Sequence, residues 1–153
     1  MATKSDKALD TFSDGFNCAQ AVFAAFAPEV GTEESEALRI AAGFGGGMAR
    51  LQEVCGAVTG AFMAIGSKYG SADPNDGTAK TKAYKNVRIF ADRFREQHGT
   101  IFCRDILGID LNTEEGQRIA GEKNLFGTVC ARCVEDSAKI LEYLLAEESA
   151  MER

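Results

Sequence analysis

The chain has 153 residues, 45% of them hydrophobic and 26% charged, with a formal net charge of −6 and a sequence pI near 4.9. That is ordinary globular composition, which excludes the low-hydrophobicity, high-charge pattern of a disordered chain. The 17 Lys and Arg residues are scattered rather than clustered, so the cation patch that grips a phosphate backbone is missing and no nucleic-acid partner is expected.

The length suits a single domain spanning residues 1–153. The opening "MATKSDKALDTFSDG" carries no apolar run of signal-peptide length, and no later segment approaches the roughly 18 apolar residues of a membrane span. The expectation is a cytoplasmic protein without a membrane partner. Five cysteines in a reducing compartment are then thiols, ligands or redox partners, and an odd number cannot all pair within one chain.

Apolar spacing of three and four residues dominates, so the expected fold class is all-α, a compact multi-helix bundle. A first helix is predicted from about Ala2 to Asp14, closed at Gly15. Asn17 and Gln20 form a variant capping box for a second helix whose first residue is Cys18 and which Pro28 ends. Thr32, with Glu33 and Glu34 after it, is predicted to start a third helix that breaks at the glycine run Gly43–Gly47. A fourth, around Val54 to Tyr69, carries Gly56 and Gly60, each costing roughly 1 kcal/mol against alanine unless a close contact offsets it.

A turn-rich connector, Gly70 to Gly77, precedes an amphipathic helix with Tyr84, Val87, Phe90, Ala91 and Phe94 on one stripe, closed by Gly99. A short turn at "FCRDILG", a segment capped by Thr113 and a long helix from about Thr128 to Glu148 complete the chain.

Cys18, Cys55, Cys103 and Cys130 each fall near a predicted helix start, where free amides and the helix dipole favour a thiolate and are expected to lower its pKa. Their wide separations match neither zinc-ribbon nor ferredoxin spacing, so any site would have to assemble in three dimensions. Free cysteine is also a common small buried hydrophobe, and spacing alone leaves both readings open. Cys133 lies one turn beyond Cys130, on roughly the same face. Covalent haem is excluded at "CARC", because Val134 stands where histidine is required.

"GFGGGM" lacks the dinucleotide-binding register, and reads either as a flexible loop or as a nest of amides at Gly45 and Gly46 near a cluster or anion, helped by Arg50. His98, the only histidine, fits a structural place at a helix end. Glu33, Glu34, Glu114 and Glu115 fit first-turn positions better than catalytic ones.

Four segments, "FNCAQAVFAAF", "AAGFGGGMARLQEVCGAVTGAFMAIG", "FCRDILGIDLNTEEG" and "VCARCVEDSAKIL", resemble the redox-active family named for its pattern C-GCAxxG-C-C. The resemblance implies that Cys18, Cys55, Cys103 and Cys130 are the characteristic cysteines, that "CGAVTG" is the central motif and that Cys133 is an extra. The family is similar to the cluster-carrying part of split-Soret cytochromes, which implies an iron–sulfur cluster on those four cysteines.

The leading expectation is therefore a [2Fe–2S] centre for one-electron transfer, with amides at Gly56, Gly45 and Gly46 tuning cluster sulfur, and an unidentified redox partner protein. Metal-free thiol–disulfide exchange is a second reading, and structural zinc or simple packing a third. Homodimerisation is compatible with a bundle, although no surface stripe in the sequence specifies it.

Overall fold

The computed structural model describes residues 2–152. Helix α1, Lys4–Ser13, is capped by Thr3 and Asp6, which satisfy one another's backbone N–H groups. Helix α2, Cys18–Phe26, begins at the Asn17–Gln20 box read from the sequence: Asn17 Oδ1 accepts the Gln20 N–H and Gln20 Oε1 accepts the Asn17 N–H, both at 2.9 Å. Pro28 falls in the tight turn that follows it, Ala27–Val30.

Helix α3, Glu34–Ile40, starts later than expected, with Glu33 at the N-cap and no side-chain cap. Thr32 is not that cap because its hydroxyl is engaged elsewhere, hydrogen-bonded to Ser67. Helix α4, Gly56–Tyr69, also starts later than the expected Val54. Val54 is extended and forms an antiparallel bridge with Phe102, the isolated bridge found among the described residues.

Helix α5, Gly77–His98, is capped by Asp76 and closed by Gly99 at φ +79°. Helices α6, Cys103–Leu107, and α7, Glu114–Glu122, follow, the latter capped by Thr113 as expected. The last helix differs at its start. A π-helical turn, Phe126–Cys130, runs directly into α8, Ala131–Met151, so Cys130 sits within continuous helix rather than at a free N-terminus.

Helix α2 is the centre of the bundle. Seven of its nine residues are buried, from Ala19 through Phe26, which is why it has apolar or small residues all round rather than on one stripe. It packs against α1, α3, α4 and α8, and α5 closes the far side against α4 and α8. Phe26, Ile65, Phe90, Phe94 and Leu141 fill the main core. A smaller apolar cluster of Cys103, Leu107, Leu111 and Ala120 joins α6 to α7.

The interior glycines of α4 have the close contacts their cost requires. A Cβ on Gly60 would lie 2.6 Å from the Ala19 carbonyl oxygen, and one on Gly56 would lie 2.4 Å from Cys18 Sγ. Bare backbone on α4 thus lets α2 approach, bringing the Cys18 and Cys55 ends of the two helices together.

Candidate functional site

Three local structures converge on one place. The first is the start of α2, where Cys18 is the first helical residue and Ala19 and Gly46 backbone N–H groups face its sulfur. The second is the bridge between Val54 and Phe102. Cys55 N–H donates to the Ile101 carbonyl and Cys103 N–H donates to the Glu53 carbonyl, both at 2.7 Å. Because side chains alternate along extended backbone, Cys55 and Cys103 lie on the face opposite Val54 and Phe102.

The third is the glycine run. Gly46, Gly47, Met48, Ala49 and Arg50 all have positive φ, between +51° and +68°, making a left-handed turn. Left-handed backbone costs a non-glycine residue about 1–2 kcal/mol, a cost that Met48, Ala49, Arg50 and the following Gln52 each carry. Buried Gln52 compensates: its Nε2 donates to the Ile109 carbonyl and its Oε1 accepts the Leu111 N–H, both at 2.9 Å. The turn presses close to the cysteines, since a Cβ on Gly47 would lie 2.8 Å from Cys103 Cβ and one on Gly45 would lie 2.4 Å from Asn17 Cβ.

Between these structures and the π turn lies a cavity of about 740 Å³. All five cysteines line it and all five are free thiols. Cys55, Cys103 and Cys133 are buried, whereas Cys18 and Cys130 are partly exposed. Phe16 and Phe126, 39% and 46% exposed, mark the mouth beside Arg50, and Leu9, Phe12 and Leu111 add apolar wall. Gly45, Gly46 and Gly56 border the same space.

The thiols crowd one another, and their titration reverses the expectation of lowered pKa values. Burial, then the nearby Cys55, pushes Cys18 up to about 11 despite its amide contacts. Burial, then Cys55 and Cys18, pushes Cys103 up to about 12. Cys130 is raised by burial and by Cys18, Cys55 and Cys103 together, with no helix-start amides to oppose them. Cys55 is raised well above its ordinary value, first by a hydrogen bond with the Cys133 thiol and then by burial, although Ala57 and Val58 N–H groups face its sulfur. Desolvation of several adjacent anions outweighs the helix ends.

Cys133 and Gln52 are the members of this site that spacing did not single out. Cys133 was visible only as a neighbour of Cys130 on one helix face, and Gln52, one of two adjacent polar residues between Leu51 and Val54, carried no distinguishing signal. His98 is apart from the cavity, its ring stacked on Phe94 at 4.4 Å and its Nε2 3.0 Å from Asp136 Oδ2, the structural place expected of it. Glu34, Glu114 and Glu115 occupy first turns, and Glu33 is an N-cap.

Four thiols come from four separate segments around the cavity, with backbone N–H groups directed at sulfur. Among the described residues, however, no three His, Cys, Asp or Glu side chains converge tightly enough to hold a single metal ion. Thiolates with amide donors behind them are the ligand type of both zinc and iron–sulfur centres.

Fold and site together define an all-helical protein built around a thiol-lined cavity. Residues 16–144 match the family described as "Putative redox-active protein (C_GCAxxG_C_C)", and the chain belongs to that family. No curated protein and no solved structure gives a significant match. Against the pattern in the family's name, Ala57, Val58, Thr59 and Gly60 fill A-x-x-G, while Gly56 stands in the cysteine's place and Cys55 precedes it. The thiol is thereby moved from the first turn of α4 to its N-cap.

Proposed function

We propose that this redox-active protein holds an iron–sulfur cluster, of the [2Fe–2S] type, on Cys18, Cys55, Cys103 and Cys130. The observation that carries the reading is the convergence of these four thiols, from α2, the bridge segment, α6 and the π turn, on one cavity. Bound there, the cluster would supply one-electron transfer.

The chain's own residues have distinct parts in this reading. Gly46, Ala19, Ala57 and Val58 N–H groups stabilise negative charge on Cys18 and Cys55 sulfur, which raises a reduction potential. Leu9, Phe12 and Leu111 keep water from the inner thiols. Gly45 and Gly56 provide closeness, as neither place has room for a Cβ. The mouth between Phe16 and Phe126 is the side from which a redox partner protein would approach.

The test is anaerobic purification with iron, acid-labile sulfide and zinc determination and a visible spectrum. Matched iron and sulfide with broad visible absorption support the cluster, and serine at any one of the four cysteines should then lower both. Protein that stays colourless after reconstitution with iron and sulfide overturns it. One zinc per chain would favour the structural metal.

A further inference from the structure

We propose that Cys55 and Cys133 are a dithiol pair that closes to a disulfide in the cluster-free protein, and that this disulfide withdraws Cys55 from cluster assembly. The pairing rests on how firmly the two residues are held. Cys55 has its N–H bonded to Ile101, and its carbonyl accepts the Val58 and Thr59 N–H groups at 2.9 and 3.0 Å. Cys133, 1% exposed, lies on the face of α8 that also carries Ser137 and Leu141.

Ser137 is fully buried, and its hydroxyl donates to the Ala57 carbonyl at 2.7 Å. That bond fixes α8 against the first turn of α4. One turn earlier on the same face, Cys133 lines the same cavity wall as Cys55, and its thiol is close enough to perturb the Cys55 thiol.

The neighbouring alternative is weaker on geometry. Cys130 and Cys133 are three residues apart in continuous helix, where Cβ atoms stand about 5–6 Å apart. A disulfide requires about 3.5–4.5 Å. The contact across α4 and α8 has no such helical spacing to overcome.

The oxidant is a hydroperoxide, small enough to enter the cavity. Cys55 sulfur, faced by the Ala57 and Val58 amides, attacks one peroxide oxygen as its thiol proton passes to the other; the O–O bond breaks, an S–O bond forms and, with hydrogen peroxide, water leaves carrying that proton. Cys133 sulfur then attacks Cys55 sulfur, the S–O bond breaks, the S–S bond forms and a second water leaves with the Cys133 proton. Two thiols lose two electrons in total, and one peroxide gains them.

The disulfide itself stands whether or not a cluster binds; its effect on assembly rests on the cluster reading. Metal-stripped, fully reduced protein would be treated with stoichiometric hydrogen peroxide, alkylated, digested without reduction and mapped by mass spectrometry. The expected product joins the Cys55 and Cys133 peptides, is lost in Cys133→Ser and in Cys133→Ala, and persists in the double variant Cys18→Ser, Cys130→Ser. Circular dichroism checks that each variant is folded.

Absence of the cross-link from folded wild-type protein, or a major product joining Cys55 to another cysteine, overturns the pair. In the second arm, oxidised protein is offered iron and sulfide before and after dithiothreitol. Uptake only after reduction supports the assembly block, and undiminished uptake by disulfide-bearing protein overturns it. Failure of wild-type reduced protein to take up iron at all strikes the cluster reading instead, leaving the mapped disulfide as it is.

Discussion

Cys55 and Cys103 are diagonal neighbours across a single antiparallel bridge, each one residue beyond the Val54–Phe102 pair. Diagonal positions of this kind lie about 7–8 Å apart, and these two share the face turned away from Phe102. Two ligands of the proposed cluster are thus set by backbone hydrogen bonds rather than by side-chain packing alone. Serine at either position should lower bound iron and sulfide to a similar extent in anaerobically prepared protein, with little change in helicity. A variant of either residue that keeps full iron and sulfide would remove that residue from the ligand set.

Gly47 is the point at which the left-handed turn touches this bridge. It has φ +68°, and a Cβ there would stand 2.7 Å from Gln52 Cα and Glu53 N as well as 2.8 Å from Cys103 Cβ. Gly47→Ala should therefore cost about 2–4 kcal/mol in urea unfolding, combining left-handed strain with overpacking. Gly43, where a Cβ would meet nothing within 4 Å, is the control, and alanine there should change stability by less than about 1 kcal/mol.

Two glycines of α4 should respond in opposite directions. Gly60→Ala would drive a methyl group into the Ala19 carbonyl, forcing α2 and α4 apart, and should destabilise by about 2–3 kcal/mol. Gly66→Ala meets open space within the same helix and should stabilise by up to about 1 kcal/mol, because alanine loses less backbone entropy on folding. Thermal unfolding of the two variants beside wild type decides this, and equal shifts of the same sign would contradict close α2–α4 packing.

Much of this architecture was legible in local sequence, because its signals are local. The reciprocal bonds of Asn17 and Gln20, the Thr113 cap and the Gly99 stop each act within a few residues, and the small residues of "CGAVTG" do mark a helix face at close approach. Four cysteines could also be singled out. The Val54–Phe102 bridge could not, since pairing two short segments across α4 and α5 leaves no periodicity in either. Nor does left-handed backbone at Met48, Ala49 and Arg50 have a residue-type signature; it is imposed by the surrounding contacts, Gln52 among them.

The thiol pKa values show why a helix start was an incomplete argument. Amides do face Cys18 and Cys55, but the dipole rule assumes one anion near solvent, and here burial and neighbouring thiols dominate. At Cys130 the premise itself fails, because the π turn continues into α8. Cys133 could be read from sequence only as a neighbour of Cys130 for a related reason: its place in the site depends on α8 lying against α4, fixed by the Ser137–Ala57 bond far away in sequence.

His98 should matter to stability and not to the cavity. Its ring stacks on Phe94 and its Nε2 meets Asp136, joining the end of α5 to α8. His98→Ala should cost about 1–3 kcal/mol from lost stacking and a lost hydrogen bond, while bound iron and sulfide per folded chain stay at the wild-type level. A selective loss of iron without loss of stability would assign His98 to the metal centre.

The raised thiol values set the pH response of cluster-free protein. A cysteine whose folded pKa lies above its unfolded value holds its proton more tightly in the native state, so its contribution is present below the unfolded pKa and lost as pH rises through the folded one. For Cys18 that window runs from 9.0 to about 11, and for Cys103 from 9.0 to about 12. Reduced, metal-stripped protein should therefore lose stability progressively above pH 9, and a Cys18→Ser, Cys103→Ser variant should show a shallower decline. Alkylation of the native thiols by iodoacetamide should also accelerate at higher pH than alkylation of urea-unfolded chain. The same protonation opposes ligation, since metal binding must release these protons, so iron uptake should strengthen from pH 7 to pH 9. Unfolding midpoints and uptake measured across that range check both signs, and stability that rises above pH 9 would refute the burial of protonated thiols in the cavity.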